Sequence, residues 1–237
     1  MTELVISKLK EAKKIIFVTG AGISQESGIP TFRGTNGLWR KYDPMQLATI
    51  DAFYRDPKLV WEWYEDRRKN ILEAKPNAGH IAIADLEKNK KVIVLTQNID
   101  GLHQRAGSSN VLELHGSIIR IKCIKCNFED EIQSSFSDLP PKCGNCGSIL
   151  RPDVVWFGEA LPQDVWQKAI DYSSSCDVMI ITGTSLVVSP ANTLPLYAKQ
   201  NGAMLIEVNP EKTIMSDEMD FSLRTTSAKG LPELLKF

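Results

Sequence analysis

"IIFVTGAGISQESGIPTFRG" (residues 15–34) begins as an apolar run and breaks at Gly20-Ala21-Gly22. A strand that ends in Gly-x-Gly lets the backbone turn tightly and approach a pyrophosphate, with a helix N-terminus beyond it to hold the anion. The dinucleotide fingerprint needs a third glycine at position 25, where this chain has Gln25; Gly28 comes late and is followed by Pro30. On the first three residues alone, a plain tight turn of small residues is an equal reading. The continuation through Ser24, Ser27, Thr31, Phe32 and Arg33 is a long polar segment with one ring and one cation, for which a standard dinucleotide site has no use.

Further nearly continuous apolar runs follow: "VIVLTQN" (92–98), "VLELHG" (111–116), "VMIITGT" (178–184) and "MLIEVNP" (204–210). Runs of this kind are strands buried on both faces. Helical patterns lie between many of them, in "NAGHIAIADLEKN", "QDVWQKAIDYSSS" and "ANTLPLYAKQNG". The alternation predicts an α/β fold, a Rossmann-like, doubly wound, mostly parallel sheet with helices on both faces. Several runs end in a polar or glycine-rich turn, and ligands of such sheets bind outside the carboxyl ends of the strands. Four loops therefore converge on one crevice. Two stretches break the alternation: 34–75 reads as helices with no strand, and 119–150 carries the cysteines. Both read as insertions forming a smaller domain, with 1–33, 76–118 and 151–237 as the Rossmann-like one.

With 237 residues, the chain has room for one large domain and a small appendage. Its net charge of -1 provides no global field for nucleic acid or an anionic membrane. No apolar run reaches the ~20 residues that span a bilayer. "MTELVISKLKEAKK" lacks a signal-peptide core and reads as an amphipathic helix capped by Thr2. The expected location is the cytoplasm.

Four of the five cysteines form two Cys-x-x-Cys pairs, Cys123/Cys126 and Cys143/Cys146, sixteen residues apart. That spacing predicts a zinc ribbon, and four thiolates leave no open coordination position, so the zinc is structural. Cys176 reads as a small buried residue.

"GAGISQESGIPTFR" (20–33) is similar to the sirtuin signature GAGxSxxSGIPxFR, and "TQNIDGLH" (96–103), "ELHG" (113–116), the paired Cys-x-x-Cys, "GTSL" (183–186) and "VNP" (208–210) agree in order along the whole chain. The resemblance implies an enzyme that consumes NAD, an NAD-dependent protein-lysine deacylase. The glycine loop then binds phosphates and also shapes a pocket for the departing nicotinamide, with Gly20, Ala21, Gly22, Ser24, Phe32 and Arg33 as cofactor residues. The implied partners are acylated-lysine peptides or proteins, with no nucleic acid and no membrane. The implied chemistry is attack of the acyl oxygen on the nicotinamide ribose, giving lysine, nicotinamide and O-acyl-ADP-ribose.

There are three histidines. His80 sits on a predicted helix and reads as a packing residue; His103 reads as fixing a loop. His115 ends a strand before Gly116 and faces the crevice, and imidazole suits proton removal near neutral pH. The resemblance places the catalytic base at His115, with Asn98 organising water and ribose near the reacting carbon. It also implies that Asp100 contacts the nicotinamide carboxamide and Gln97 the ribose. Gly183, Thr184, Ser185 and Asn209 would serve the phosphates and the adenosine half, with Ala228 near the adenine in the looser match "TTSAKGL". "VVWFGE" (154–159) reads as an exposed strand edge able to pair with a peptide. The resemblance implies that Val155, Phe157 and Gly158 of this stretch, with Val187, clamp the substrate backbone.

In "VWEWYEDRRKN" (60–70), Tyr64 and Arg67 are three apart and share a helix face. A phenol and a planar guanidinium suit a carboxylate. The same residues also read as core aromatics beside a solvated basic face. By resemblance, Tyr-x-x-Arg at this point marks the subgroup that removes succinyl and malonyl groups. Mono-ADP-ribosyl transfer in the same crevice is the competing activity. A nucleic-acid-binding zinc ribbon is a third reading, against which the near-neutral charge and the few basic residues around the cysteines ("KCIKCNFEDE") argue.

Overall fold

A computed structural model describes residues 3–32, 37–132 and 134–236. Thr2 and Arg33 lie outside these described residues. β1 (Lys14–Thr19), β2 (Lys91–Thr96) and β3 (Val111–Glu113) begin one sheet; β4 (Gly116–Cys123), β5 (Glu129–Glu131) and β6 (Leu150–Val154) form a second; β7 (Val178–Thr182), β8 (Met204–Val208) and β9 (Phe221–Leu223) complete the first. Helix α1 (Glu3–Glu11) precedes β1. Between β1 and β2 lie α2 (Pro44–Leu47), α3 (Ile50–Arg55), α4 (Pro57–Glu73) and α5 (Ala78–Leu86); α6 (Leu102–Arg105) precedes β3, α7 (Gln163–Ser173) precedes β7, α8 (Leu194–Gln200) precedes β8, and α9 (Ser227–Leu234) follows β9.

The large sheet has the order β3-β2-β1-β7-β8-β9, and every pairing in it is parallel. Its period-2 side chains fill two cores. Ile15, Phe17, Val92, Val94 and Ile180 face Val5 and Leu9 of α1, Ile83 of α5 and Leu231 of α9. Ile16, Val18, Ile93, Leu95 and Ile181 face Ala169 of α7 and Leu194 and Ala198 of α8. Strands covered on both sides have no polar face to show, which is why their sequences do not alternate. The chain runs one way from β1 and the other way from β7, so the carboxyl ends of β1 and β7 flank the switch in strand order.

A third core joins the helices before α5 to the cysteine-bearing sheet. Phe53, Trp61, Trp63, Tyr64 and Ile71 pack with Ile118, Ile121, Leu150, Val154 and Trp156. Burying each such side chain contributes about 1.5–3 kcal/mol. Local chemistry sets the helix starts: Asp56 accepts from Leu59 N–H ahead of Pro57, and Thr49 accepts from Ala52 N–H. Among the described residues, no helix is long and apolar enough to cross a membrane.

The structure departs from the sequence reading at three places. Strand β6 stops at Val154, and the expected exposed edge beyond it is not a free edge. The Val155 N–H donates to the His115 carbonyl, that of Trp156 to Glu159, and that of Phe157 to the Ala48 carbonyl. Internal acceptors captured these donors before a partner strand was needed. His115 sits in the turn after β3, not on the strand. Arg68 is no part of a solvated face: it is fully buried, paired with Glu65 at 3.1 Å and bonded to the Ile118 carbonyl at 3.0 Å.

Candidate functional site

A crevice of about 620 Å³ opens over the carboxyl ends of β1, β2, β7 and β8 and runs under the third core. It is built where the strand order reverses, as sheet geometry requires. After β1 the chain makes a 3₁₀ helix over Ala21–Ser27. The loop leaves no room for a side chain at Gly22: its N–H donates to the Gly183 carbonyl at 2.7 Å, and a Cβ there would lie 2.8 Å from Gly183 Cα. Gly183 itself has φ +63°, and a Cβ on it would meet Ile23 N at 2.2 Å. The β1 and β7 loops thus close on each other backbone to backbone.

A buried polar network ties this loop to the one after β2. Ser24 Oγ donates to Asp100 Oδ2 at 2.7 Å and accepts from Asn98 Nδ2 at 3.1 Å; Asn98 also donates to the Gly20 carbonyl. Asp100 Oδ1 also accepts the Leu102 N–H at the start of α6, at 3.0 Å. Burial raises the Asp100 pKa above its ordinary value, and the Leu102 and Ser24 bonds oppose that shift. Beneath lie His80 and His103, ring centroids 4.9 Å apart. Burial pushes His80 down to about 4 and His103 to about 3, with the His80 charge adding to the second shift. Neither histidine lines the crevice; His80 Nδ1 accepts the Asn77 N–H at the start of α5.

His115 does line it. Its Nδ1 stands 3.0 Å from the Gln97 carbonyl. A carbonyl only accepts, so Nδ1 carries the proton and Nε2 keeps its lone pair. Burial lowers the His115 pKa from 6.5, and the Gln97 contact partly opposes that. The imidazole is therefore neutral at pH 7 and able to take a proton.

At the end of the crevice under α4, the Arg67 guanidinium lies over three rings: Trp63 at 4.5 Å, Phe32 at 5.0 Å and Tyr64 at 5.5 Å. None of the ion pairs among the described residues involves it. Burial lowers the Arg67 pKa, and Tyr64 and Asp100 oppose that shift. Tyr64 is nearly buried, with its hydroxyl 2.9 Å from Trp156 Nε1.

At the opposite end, buried Glu207 organises the loop after β8. Its carboxylate accepts from Thr213 at 2.7 Å and Ser216 at 2.8 Å, and pairs with Arg224 at 2.5 Å. Asn209 Nδ2 donates to the Thr184 carbonyl, and Gln97 Nε2 to Thr184 Oγ1. In the small sheet, the four Sγ atoms of Cys123, Cys126, Cys143 and Cys146 lie within 4.8 Å of one another, with separations of 3.5 and 3.7 Å for two of the pairs. Zinc–sulfur bonds of about 2.3 Å place tetrahedral sulfurs roughly 3.8 Å apart, so the cluster fits one zinc ion.

Residues 20–190 match the model of the Sir2 family. The chain belongs to the Sir2 family. It is 54% identical to NAD-dependent protein deacylase 1 of Caldanaerobacter subterraneus subsp. tengcongensis (strain MB4), over 88% of this chain and 87% of that one. Among solved structures it is similar to a Sir2 homologue mutant in complex with ADP-ribose, at TM-score 0.97 and 46% identity, covering 100% of this chain and 96% of that one. It is likewise similar to a Sir2–p53 peptide–NAD+ complex, at TM-score 0.90 and 36% identity, covering 100% and 98%.

In this Sir2-family crevice, the wall includes Gly20, Ala21, Gly22, Phe32, Gln97, Asn98, Asp100, Gly183, Thr184, Ser185 and Asn209, together with Tyr64, Arg67, Val155, Phe157 and Gly158. Ser24 lies one layer behind, under Asn98 and Asp100. Ala228 is off the wall with its N–H on Glu26, and Thr226 and Ser227 line the crevice instead. Val187 is exposed beside Val188, which lines. Sequence reasoning missed Trp63, Trp156 and Glu207. The first two stood inside quoted motifs as apolar residues; an acidic residue within the apolar "MLIEVNP" was the available sign of the third.

Proposed function

We infer that the chain is an NAD-dependent protein deacylase, and we propose that acidic acyl groups on lysine are its preferred substrates. Both Sir2 relatives, one with ADP-ribose and one with p53 peptide and NAD+, support a crevice that takes dinucleotide and peptide together. We assign the dinucleotide to the loops after β1, β2, β7 and β8, with Gly20, Ala21 and Gly22 at its phosphates and Asn209 toward its adenosine half. Bound NAD would supply the ribose carbon that the acyl oxygen attacks, nicotinamide as the leaving group, and the ribose hydroxyl that finally takes the acyl group. His115 Nε2 takes the proton of a ribose hydroxyl, and the Gln97 carbonyl steadies the resulting imidazolium. Asn98 and Asp100, pinned through Ser24, orient the reacting end. The peptide runs past Val155, Phe157, Gly158 and Val187. The single core shared by the helical and cysteine-bearing insertions supports treating 34–75 and 119–150 as one small domain.

The observation that carries the substrate preference is Arg67, a half-buried cation in the crevice wall with no ion pair among the described residues. A cation partly withdrawn from water and without a carboxylate partner gains from one, and an acyl carboxylate would supply it. The test is incubation with NAD and peptides carrying acetyl-, malonyl- and succinyl-lysine, with mass spectrometry of both products. Faster consumption of the acidic acyl peptides, with matching O-acyl-ADP-ribose, is expected. Acetyl-lysine turned over while succinyl-lysine stays intact would refute the preference and leave the deacylase in place.

A further inference from the structure

Tyr64 on α4 and Trp156 beyond β6 are 92 residues apart in the chain, and their polar ends meet in the crevice wall, where Trp156 Nε1 donates to Tyr64 Oη across 2.9 Å. A free phenol both donates and accepts, and rotates its proton to suit whatever approaches. Indole N–H only donates. Once it is fixed on the Tyr64 oxygen, that oxygen is the acceptor and its own proton must point elsewhere. Both residues are otherwise buried and line the crevice with Arg67, so the crevice is the outlet.

The indole is itself held on several sides. The Arg151 guanidinium stacks on its ring at 3.6 Å, and Arg151 is gripped by both oxygens of Glu159, at 2.7 and 2.8 Å. Glu159 also accepts the Trp156 backbone N–H at 2.9 Å, and Phe53 packs against the ring at 5.1 Å. A chain of fixed groups, Glu159 to Arg151 to Trp156 to Tyr64, therefore ends at the crevice.

We propose that Trp156 is a specificity-positioning residue: its indole N–H locks the Tyr64 hydroxyl as a hydrogen-bond donor, so that Tyr64 and Arg67 together present donors only. The proposal rests on the reading of these two residues as a carboxylate clamp. A carboxylate offers acceptors only and matches such a pair. The terminal amide of the same length brings N–H groups and does not, and an acetyl group is too short to use it. Selection comes from the mismatch as much as from the match.

The test uses three peptides that differ only in the acyl group: succinyl-lysine, its terminal-amide analogue and acetyl-lysine. Trp156→Phe keeps a ring under Arg151 and deletes the N–H. The expected result is a fall of about fivefold in the succinyl-to-acetyl ratio of kcat/KM, carried by KM, with a smaller fall for the amide. In a Tyr64→Phe background the same substitution should leave the ratio where Tyr64→Phe put it. An unchanged ratio, or an equal effect in both backgrounds, overturns the role of Trp156 and leaves the clamp standing. A wild-type enzyme without succinyl-lysine activity overturns both. If Trp156→Phe does not fold, the indole N–H resonance of Trp156 decides: Tyr64→Phe should shift it upfield, and an unmoved resonance overturns the proposal.

Discussion

His115 Nδ1 sits 3.0 Å from the Gln97 carbonyl, and that contact fixes which nitrogen can act. The loop after β2 therefore sets the tautomer of a histidine that follows β3. His115→Ala removes the base and leaves the loops in place, since no core cluster depends on the ring. Turnover should fall by about 100-fold or more with NAD binding retained. Because burial lowers the His115 pKa from 6.5, the acid limb of kcat/KM should lie below that value. A His115→Ala variant with near wild-type turnover would take the residue out of the mechanism.

The buried pair His80–His103 makes stability depend on pH. Both are held neutral, with folded pKa values of about 4 and about 3 against 6.5 in the unfolded chain. A depressed pKa means that the unfolded state binds protons first as pH falls. The stabilisation is thus complete above pH 6.5 and is lost progressively as pH drops toward 4, on the order of 3 kcal/mol for His80 alone. His103 Nε2 donates to Thr19 Oγ1 at 3.0 Å, since the Thr19 hydroxyl itself donates to Thr96. The melting temperature should decline between pH 6.5 and 5, and His103→Gln, whose amide N–H can replace that donor, should flatten that decline. Identical slopes for variant and wild type would remove the pair as the source.

What the sequence made legible divides along physical lines. The parallel sheet was readable because strands covered on both faces must be apolar throughout, and the zinc ribbon because thiolate spacing has few other uses. The order of loops on the crevice followed from the strand ends. Trp156 was not readable: a tryptophan in an apolar motif looks like core, and nothing local reveals a partner 92 positions away. The free edge expected at 154–159 failed for a related reason, since the Ala48 and His115 carbonyls that take its N–H groups come from distant segments. The glycines at 22 and 183 looked like phosphate-loop residues, yet each is needed because the other loop's backbone fills the Cβ position.

Metal removal tests the cysteine cluster. Cys123 and Cys143 are buried within the core shared by the small sheet and α4, so loss of zinc loosens the wall that carries Tyr64 and Arg67. A closed four-thiolate site supplies folding free energy to a segment too short to hold itself. A strong chelator, or Cys143→Ser, should lower the thermal transition and expose hydrophobic surface, with zinc content falling in parallel. A metal-free sample that melts sharply at the original temperature would show that the cluster is dispensable.

Arg67→Met gives the most direct test of acyl preference. Methionine keeps an unbranched apolar chain against Phe32, Trp63 and Tyr64 and deletes the cation. The wild-type guanidinium is held in the wall by these rings and has no ion pair among the described residues, so its charge is available to a ligand. A charge-assisted hydrogen bond contributes about 1.5–3 kcal/mol, which corresponds to roughly 10- to 150-fold in affinity. The Michaelis constant for succinyl-lysine should rise by a factor in that range. For acetyl-lysine, which has no carboxylate to lose, the change should be much smaller. Steady-state kinetics on both peptides with the same NAD concentration separates the outcomes. Equal losses on the two substrates would mean that Arg67 shapes the wall without reading the acyl group.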